Sequence, residues 1–223
     1  MIAWEHLDTA TVPDAGGELR LMRRGAEYSI MTGAIELMNS RLSGSEEALA
    51  TLVCARVGAD ARMLIGGYGM GFTLRAALAA LGPAAKLVVA ELVPQVVDWA
   101  RGPMAHLSAG CLEDPRVRVV LGDVSRAIGA GAKAYDAILL DVDNGPEGLS
   151  RKENDRLYSR VGLAAARAAL SPGGVLAVWS SGPSEAFTKR LTSAGFAVEV
   201  VPVRAGGGKR GARHVIWLAT SPG

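Results

Sequence analysis

Three carboxylates stand at the ends of apolar runs in this sequence. Glu91 closes "KLVVAE", Asp123 follows "VRVVLG", and Asp141 follows "YDAILL". A further run, "ARMLIGG", ends instead in glycines: Gly66, Gly67, Gly69 and Gly71 lead into the helical pattern "FTLRAALAALG". Glycine lets a backbone approach a ligand closely, and the helix that follows offers free N–H groups at its positive end. An acid about two dozen residues beyond such a loop can accept both hydroxyls of a ribose. Asp123 can accept from an exocyclic amine, or simply cap the helix it opens. Asp141 leads into the acidic loop "DVDNGPEG", and a carboxylate on that edge of an α/β sheet can take a proton from an attacking amine or hydroxyl. Each residue alone has a plainer reading as a packing glycine, a solvated acid or a loop cap. The four features in order describe a nucleotide site.

The elements that must position them alternate apolar runs with helical patterns. The runs are continuously apolar, as in a parallel sheet covered by helices on both faces. Helices are expected over "PQVVDWARGPMAHL", opened by Pro94, over a short segment from Asp123, over "NDRLYSRVGLAAARAAL" up to the breaker "SPGG", and over "SEAFTKRLTSAG", capped by Gly195. The chain ends differently. "FAVEVVPVR" and "RHVIWLATS" are joined only by "AGGGKRGA", and a parallel crossover needs about a dozen residues or more. The last strand therefore runs antiparallel to the one before it. Parallel strands closed by such a hairpin resemble the class I S-adenosylmethionine-dependent methyltransferase fold, a Rossmann-like α/β sandwich with seven strands. They do not resemble an NAD dehydrogenase sheet.

The first part of the chain has another character. "GELRLMRRGAEYSIMTGAIELMNS" alternates apolar and polar residues, which predicts two or three short antiparallel strands. Residues 1–42 are read as a small β-hairpin appendage. Residues 43–60 form a linking helix capped by Ser43 or Ser45, and residues 61–223 form the Rossmann-like ligand-binding domain.

Composition narrows the function. The net charge of +2 argues against an electrostatic nucleic-acid binder. No apolar run approaches the roughly 18 residues that span a bilayer. The N-terminus lacks a signal-peptide pattern, and Cys54 and Cys111 read as reduced thiols, so a cytoplasmic protein is expected. His6, His106 and His214 stand in no metal-ligand spacing, and no metal is expected.

From about Gly17 onward the chain resembles the spermidine synthase (polyamine aminopropyltransferase) family, in "IGGYGMG", "VVAELVP", "DPRVRVVLGD", "YDAILLDVDNGPEG" and "LSPGGVLAV". The resemblance implies that Glu91 holds ribose, Asp123 holds adenine and Asp141 is the catalytic base. Gly66, Gly67, Gly69, Gly71, Leu92 and Val124 complete the cofactor set. It also implies a homodimer, with the N-terminal β segment as a shortened substrate-covering domain. Four places depart from the family. Its loop aspartate falls on Gly69 and its active-site glutamine on Glu36. Its Tyr-His/Gln-Glu run falls on Ser45, Glu46 and Glu47, and the second aspartate of its diamine loop falls on Asn144. Acceptor contacts are expected from Glu36, Glu47, Tyr68, Asp143, Asn144 and Tyr158. Trp179, Ser180 and Ser181 are further candidates for that pocket.

Gly69 weighs on the choice of reaction. An aspartate there can repel the α-carboxylate of S-adenosylmethionine and so select the decarboxylated donor. Without it, the expected function is methyl transfer from S-adenosylmethionine to a small nucleophile, an amine among the candidates. Aminopropyl transfer from decarboxylated S-adenosylmethionine to a polyamine is the alternative. Non-catalytic binding of an adenosyl ligand is a third.

Overall fold

The computed structural model describes residues 2–13, 16–142, 145–146, 156–206 and 211–223. Its centre is a seven-stranded sheet of β5 (Arg62–Gly66), β6 (Lys86–Glu91), β7 (Val117–Leu121), β8 (Tyr135–Leu140), β9 (Leu170–Ser180), β10 (Ala197–Arg204) and β11 (Arg213–Thr220). The spatial order is β10-β11-β9-β8-β5-β6-β7. Neighbours from β9 to β7 pair in parallel, whereas β11 pairs antiparallel with both β9 and β10. The terminal hairpin thus inserts its last strand between β9 and β10, as the short connection requires.

Alternation along each strand divides the core in two. Met63 and Ile65 of β5 face one side, with Leu87, Val89, Leu139 and Ala177. Leu64 faces the other, with Ile138, Leu140, Leu176 and Val178. Helices α1 (Gly44–Cys54), α2 (Phe72–Ala80) and α3 (Pro94–Arg101), with the short α4 (Ala105–Ser108), supply buried residues to the first side. Helices α5 (Val124–Ile128), α6 (Arg160–Ala169) and α7 (Glu185–Ser193) supply the second. Burial on both faces is why the segments Met63–Ile65, Leu87–Ala90 and Ala137–Leu140 carry no polar residue.

The helix expected over "PQVVDWARGPMAHL" divides. It ends at Arg101 and resumes for one turn at Ala105. Pro103 has no N–H to continue the ladder, and the Met104 N–H reaches back to the Trp99 carbonyl at 2.9 Å. The "DPRVRVVLGD" stretch has a structural use. Arg116 grips Asp114 through its guanidinium and backbone N–H and donates to the Leu81 and Gly82 carbonyls, tying the end of α2 to the start of β7. That pairing holds the Asp114 carboxyl down at about 2.

The N-terminal sheet has four antiparallel strands, β1 (Glu5–Thr11), β2 (Glu18–Arg24), β3 (Glu27–Thr32) and β4 (Ile35–Asn39). β1 goes beyond the two or three expected; its sequence "EHLDTAT" is too polar and largely exposed to announce a strand. It anchors the sheet, because Trp99 Nε1–H on α3 donates to Asp8 Oδ2 at 2.7 Å. Leu19, Leu21 and Ile30 pack into the same core as α1, α2 and α3. The small sheet therefore covers one side of the large one, over the C-terminal ends of its parallel strands.

Candidate functional site

Between the two sheets lies a cavity of about 170 Å³. The N-terminal sheet contributes its apolar face, Leu19, Ile30, Leu37 and Met38 among others, and the large sheet contributes the loops after β5, β6, β7 and β8. Parallel strands put all their C-terminal ends on one edge, which is where ligands of open α/β sheets bind.

The glycine loop forms the floor. Gly67 has a φ of +86°, and a Cβ on it would stand 2.3 Å from the Asp141 carbonyl oxygen. No other residue fits there. Gly69 also lines the cavity, and its nearest obstacle is the flexible Met38 side chain at 3.0 Å. Gly66 and Gly71 stand behind: a Cβ on Gly66 would press on Val124, and one on Gly71 would press on the Tyr68 ring. Tyr68 is itself buried, lines the cavity, and places its hydroxyl 3.6 Å from Cys111 Sγ.

Glu91 is 7% exposed. The Tyr68 N–H donates to its Oε2 and the Val93 N–H to its Oε1, both at 2.9 Å. Burial pushes the Glu91 carboxyl up, against the pull of these backbone donors. The Gly69 and Leu92 N–H groups also favour the ionised form, and the carboxylate lines the cavity, where a ligand hydroxyl can donate to it. Beside it Leu92, Val93, Val96 and Val124 make an apolar wall. Asp123 lines the same cavity and caps α5, its Oδ1 accepting the Ser125 N–H at 2.7 Å.

Asp141 closes the ring. Its backbone N–H donates to the Gly66 carbonyl at 2.9 Å, and its Oδ2 accepts the Thr73 hydroxyl at 2.7 Å. Burial first, and the nearby Glu46 charge second, raise its carboxyl to about 7, against the Thr73 hydrogen bond. Glu46 lines the cavity from α1, and burial raises its carboxyl as well. The arrangement can therefore hold a diol at Glu91, a flat apolar group at Leu92 and Val124, and a proton at Asp141.

The remaining candidates lie elsewhere. Glu47, next to Glu46, turns outward to Arg75 at 3.1 Å and accepts from Ser43 at 3.0 Å. Glu36 is on the outer face of the N-terminal sheet, held by Ser29, Asn39 and Arg41. Tyr158 is buried on the other side of the large sheet, edge-on to Phe187. Asp143 and Asn144 lie outside the described residues. Trp179 lines the cavity and meets the His214 ring edge-on at 4.8 Å.

Sequence reasoning passed over Glu46, Thr73 and the apolar face of the small sheet. Thr73 was legible in principle, as a hydroxyl in the first turn after the glycine loop. Glu46 was not, because its orientation depends on the roll of α1.

The sequence profile of the spermine/spermidine synthase domain matches residues 44–189. A polyamine aminopropyltransferase of Mycobacterium tuberculosis is 32% identical over 150 residues, covering 63% of this chain and 28% of that protein. Another, from Nitrosomonas europaea, is 37% identical over 98 residues, covering 44% of this chain and 29% of that protein. The matched part thus spans little more than a quarter of each of these relatives. Among solved structures, the spermidine synthase from Thermotoga maritima superposes with a TM-score of 0.77 at 17% identity, over 97% of this chain and 72% of that one. A probable spermidine synthase from Corynebacterium glutamicum superposes at 0.67 and 14% identity, over 96% of this chain and 79% of that one. At such identities the superpositions show the fold.

Proposed function

Because the chain belongs to the spermine/spermidine synthase family, we propose that it transfers an aminopropyl group from decarboxylated S-adenosylmethionine to an amine. The relatives above bear aminopropyltransferase and spermidine synthase names. They favour this alternative over the methyl transfer that Gly69 led the sequence to put first. The observation that carries it is the position of Asp141, a partly buried carboxylate raised to about 7 that lines the same cavity as Glu91.

The residues present fit such a donor. Gly67 leaves a cradle that any Cβ would fill, Glu91 has acceptor sites for the ribose hydroxyls, and Leu92 and Val124 suit an adenine face. Asp123, at the cavity rim, is the acceptor for its exocyclic amine. The donor supplies a carbon activated by a positively charged sulfur. Asp141 holds the acceptor nitrogen in line with that carbon and takes its proton as the new C–N bond forms. The C–S electron pair stays on sulfur, and methylthioadenosine leaves. Most of the acceleration comes from holding the two reactants in line, an effect of up to about 7–11 kcal/mol. A carboxylate titrating near neutrality is matched to the proton transfer.

A second reading keeps methyl transfer, on one observation: Gly69 lines the cavity where the family resemblance places aspartate. No charge there opposes the α-carboxylate of S-adenosylmethionine. The coproduct separates the two. Incubation with each donor and a panel of amines, read by mass spectrometry, yields methylthioadenosine for aminopropyl transfer and S-adenosylhomocysteine for methyl transfer. Methylthioadenosine formed only with the decarboxylated donor and an amine is the expected result. S-adenosylhomocysteine alone would establish the second reading. Thermal stabilisation by these ligands with no coproduct would leave a binding protein.

A further inference from the structure

Two adjacent acids on α1 meet opposite fates. Glu47 is drawn outward by Arg75 and Ser43, while Glu46 lines the cavity that Asp141 also lines. Glu46 is fixed in that position. The Ser45 hydroxyl, fully buried, donates to Glu46 Oε2 at 2.7 Å. With Glu46 ionised that hydroxyl is spent as a donor, so His214 Nδ1, 2.9 Å from the same oxygen, donates to it. Strand β11 thus holds an acid of α1 against the end of β8.

Thr73 shows how the two acids are linked. Its hydroxyl lies 2.7 Å from Asp141 Oδ2 and 3.3 Å from the Glu46 carbonyl oxygen, and it has one proton for two acceptors. With Asp141 ionised, Thr73 donates to it. With Asp141 protonated, the acid donates to Thr73, which turns its own proton to the Glu46 carbonyl. Both protonation states are satisfied without moving a heavy atom.

We propose that Glu46 is a positioning residue that acts through Asp141: the two carboxylates share one proton in the empty site, and a cationic amine displaces it on binding. The physical reason is that two partly buried carboxylates lining one cavity resist ionising together without a counter-charge. Among the described residues, the ionisable groups around the pair are Glu47 on the same helix, which is paired with Arg75 yet still raises the Glu46 carboxyl, His214 behind Ser45, and Glu91 and Asp123, which line the same cavity; burial lowers the affinity of His214 for a proton. Among the described residues no cation is hydrogen-bonded to the pair, and the positive charge in this proposal is assigned to the ligand. The proton balance is one released to solvent for each ammonium bound. The amine part of this inference rests on the function proposed above; the sharing of a proton does not.

The test uses the whole protein with carboxyl-labelled aspartate, the Asp141 signal assigned by its loss in Asp141→Asn. In the native chain the signal titrates near neutrality. In Glu46→Gln its midpoint falls by about one pH unit or more, because a neutral neighbour no longer repels the charge. Ser45→Ala moves it the same way, since a Glu46 without its donor keeps the shared proton longer. A midpoint unmoved in both variants overturns the proposal. Calorimetry with 1,4-diaminobutane at pH 7 in two buffers of different ionisation enthalpy then reads proton release. Release of up to one proton is expected for the native chain and none for Glu46→Gln. Equal release by both would overturn the displacement step. Failure of the diamine to bind, with the midpoint still shifted by Glu46→Gln, would overturn the amine reading alone.

Discussion

The Thr73 hydroxyl donates to Asp141 Oδ2 over 2.7 Å, joining the first turn of α2 to the end of β8 beneath the glycine loop. This bond favours the ionised acid and opposes the burial that raises it. Thr73→Val keeps the shape and removes the donor, so Asp141 holds its proton to higher pH. The rise of kcat/KM with pH, which follows ionisation of the base, moves upward in this variant. Glu46→Gln moves it downward. Opposite shifts from two neighbours of one carboxylate are measured by pH–rate profiles of the three proteins.

Asp141→Asn abolishes transfer and alters stability in a pH-dependent way. The folded carboxyl titrates at about 7, whereas in the unfolded chain it titrates at about 4. Between those values the folded state binds the extra proton, so native stability falls as pH rises through that window. The amide has no such dependence. The variant is expected to match the native protein near pH 4 and exceed it near pH 8, as read from urea midpoints at the two pH values.

The glycines of the loop separate into two kinds. Gly67→Ala drives a methyl group against the Asp141 carbonyl and costs about 1–3 kcal/mol in overpacking alone, with loss of donor binding. Gly69 faces the cavity and the movable Met38, and an aspartate tolerates its φ of +56° better than most residues. Gly69→Asp is expected to fold and to raise the preference for decarboxylated over ordinary S-adenosylmethionine by roughly tenfold or more. Competitive binding of the two donors measures it.

Trp99→Phe tests the anchoring of the small sheet. The ring stays buried while the donor to Asp8 is lost. That N–H, the largest influence on the Asp8 carboxyl, holds it below its usual range. Such a group stabilises the fold above the unfolded value and loses its contribution as pH falls through the folded one. The variant is expected to be less stable at neutral pH by about 1 kcal/mol, with the gap closing in acid. Thermal denaturation between pH 2 and pH 7 follows the gap, over the window in which an aspartate titrates.

Much of this was legible in the residues. Glu91, Asp123 and Asp141 each follow directly on an apolar run, and parallel strands carry all their C-terminal ends to one edge, so order along the chain became proximity in space. The terminal hairpin was equally plain, because its connection is too short for a crossover. The small sheet was only partly legible. β1 carries a polar, exposed pattern that no periodicity reveals; its place is held by pairing with β2, by Ala10 in the core and by the contact of Asp8 with Trp99.

By itself, then, the sequence determined the alternation of strands and helices, the antiparallel direction of the last strand and the three carboxylates on the binding edge. The tertiary structure decided which acid of α1 enters the cavity. Adjacent helical residues point about 100° apart, and the roll of α1 is set by what it packs against. That roll sends Glu46 inward and Glu47 to Arg75. The same packing put Glu36 and Tyr158 on faces turned away from the cavity, and it built the cavity's apolar wall from a sheet distant in sequence. Contact between elements, not the residues of any one of them, made that choice.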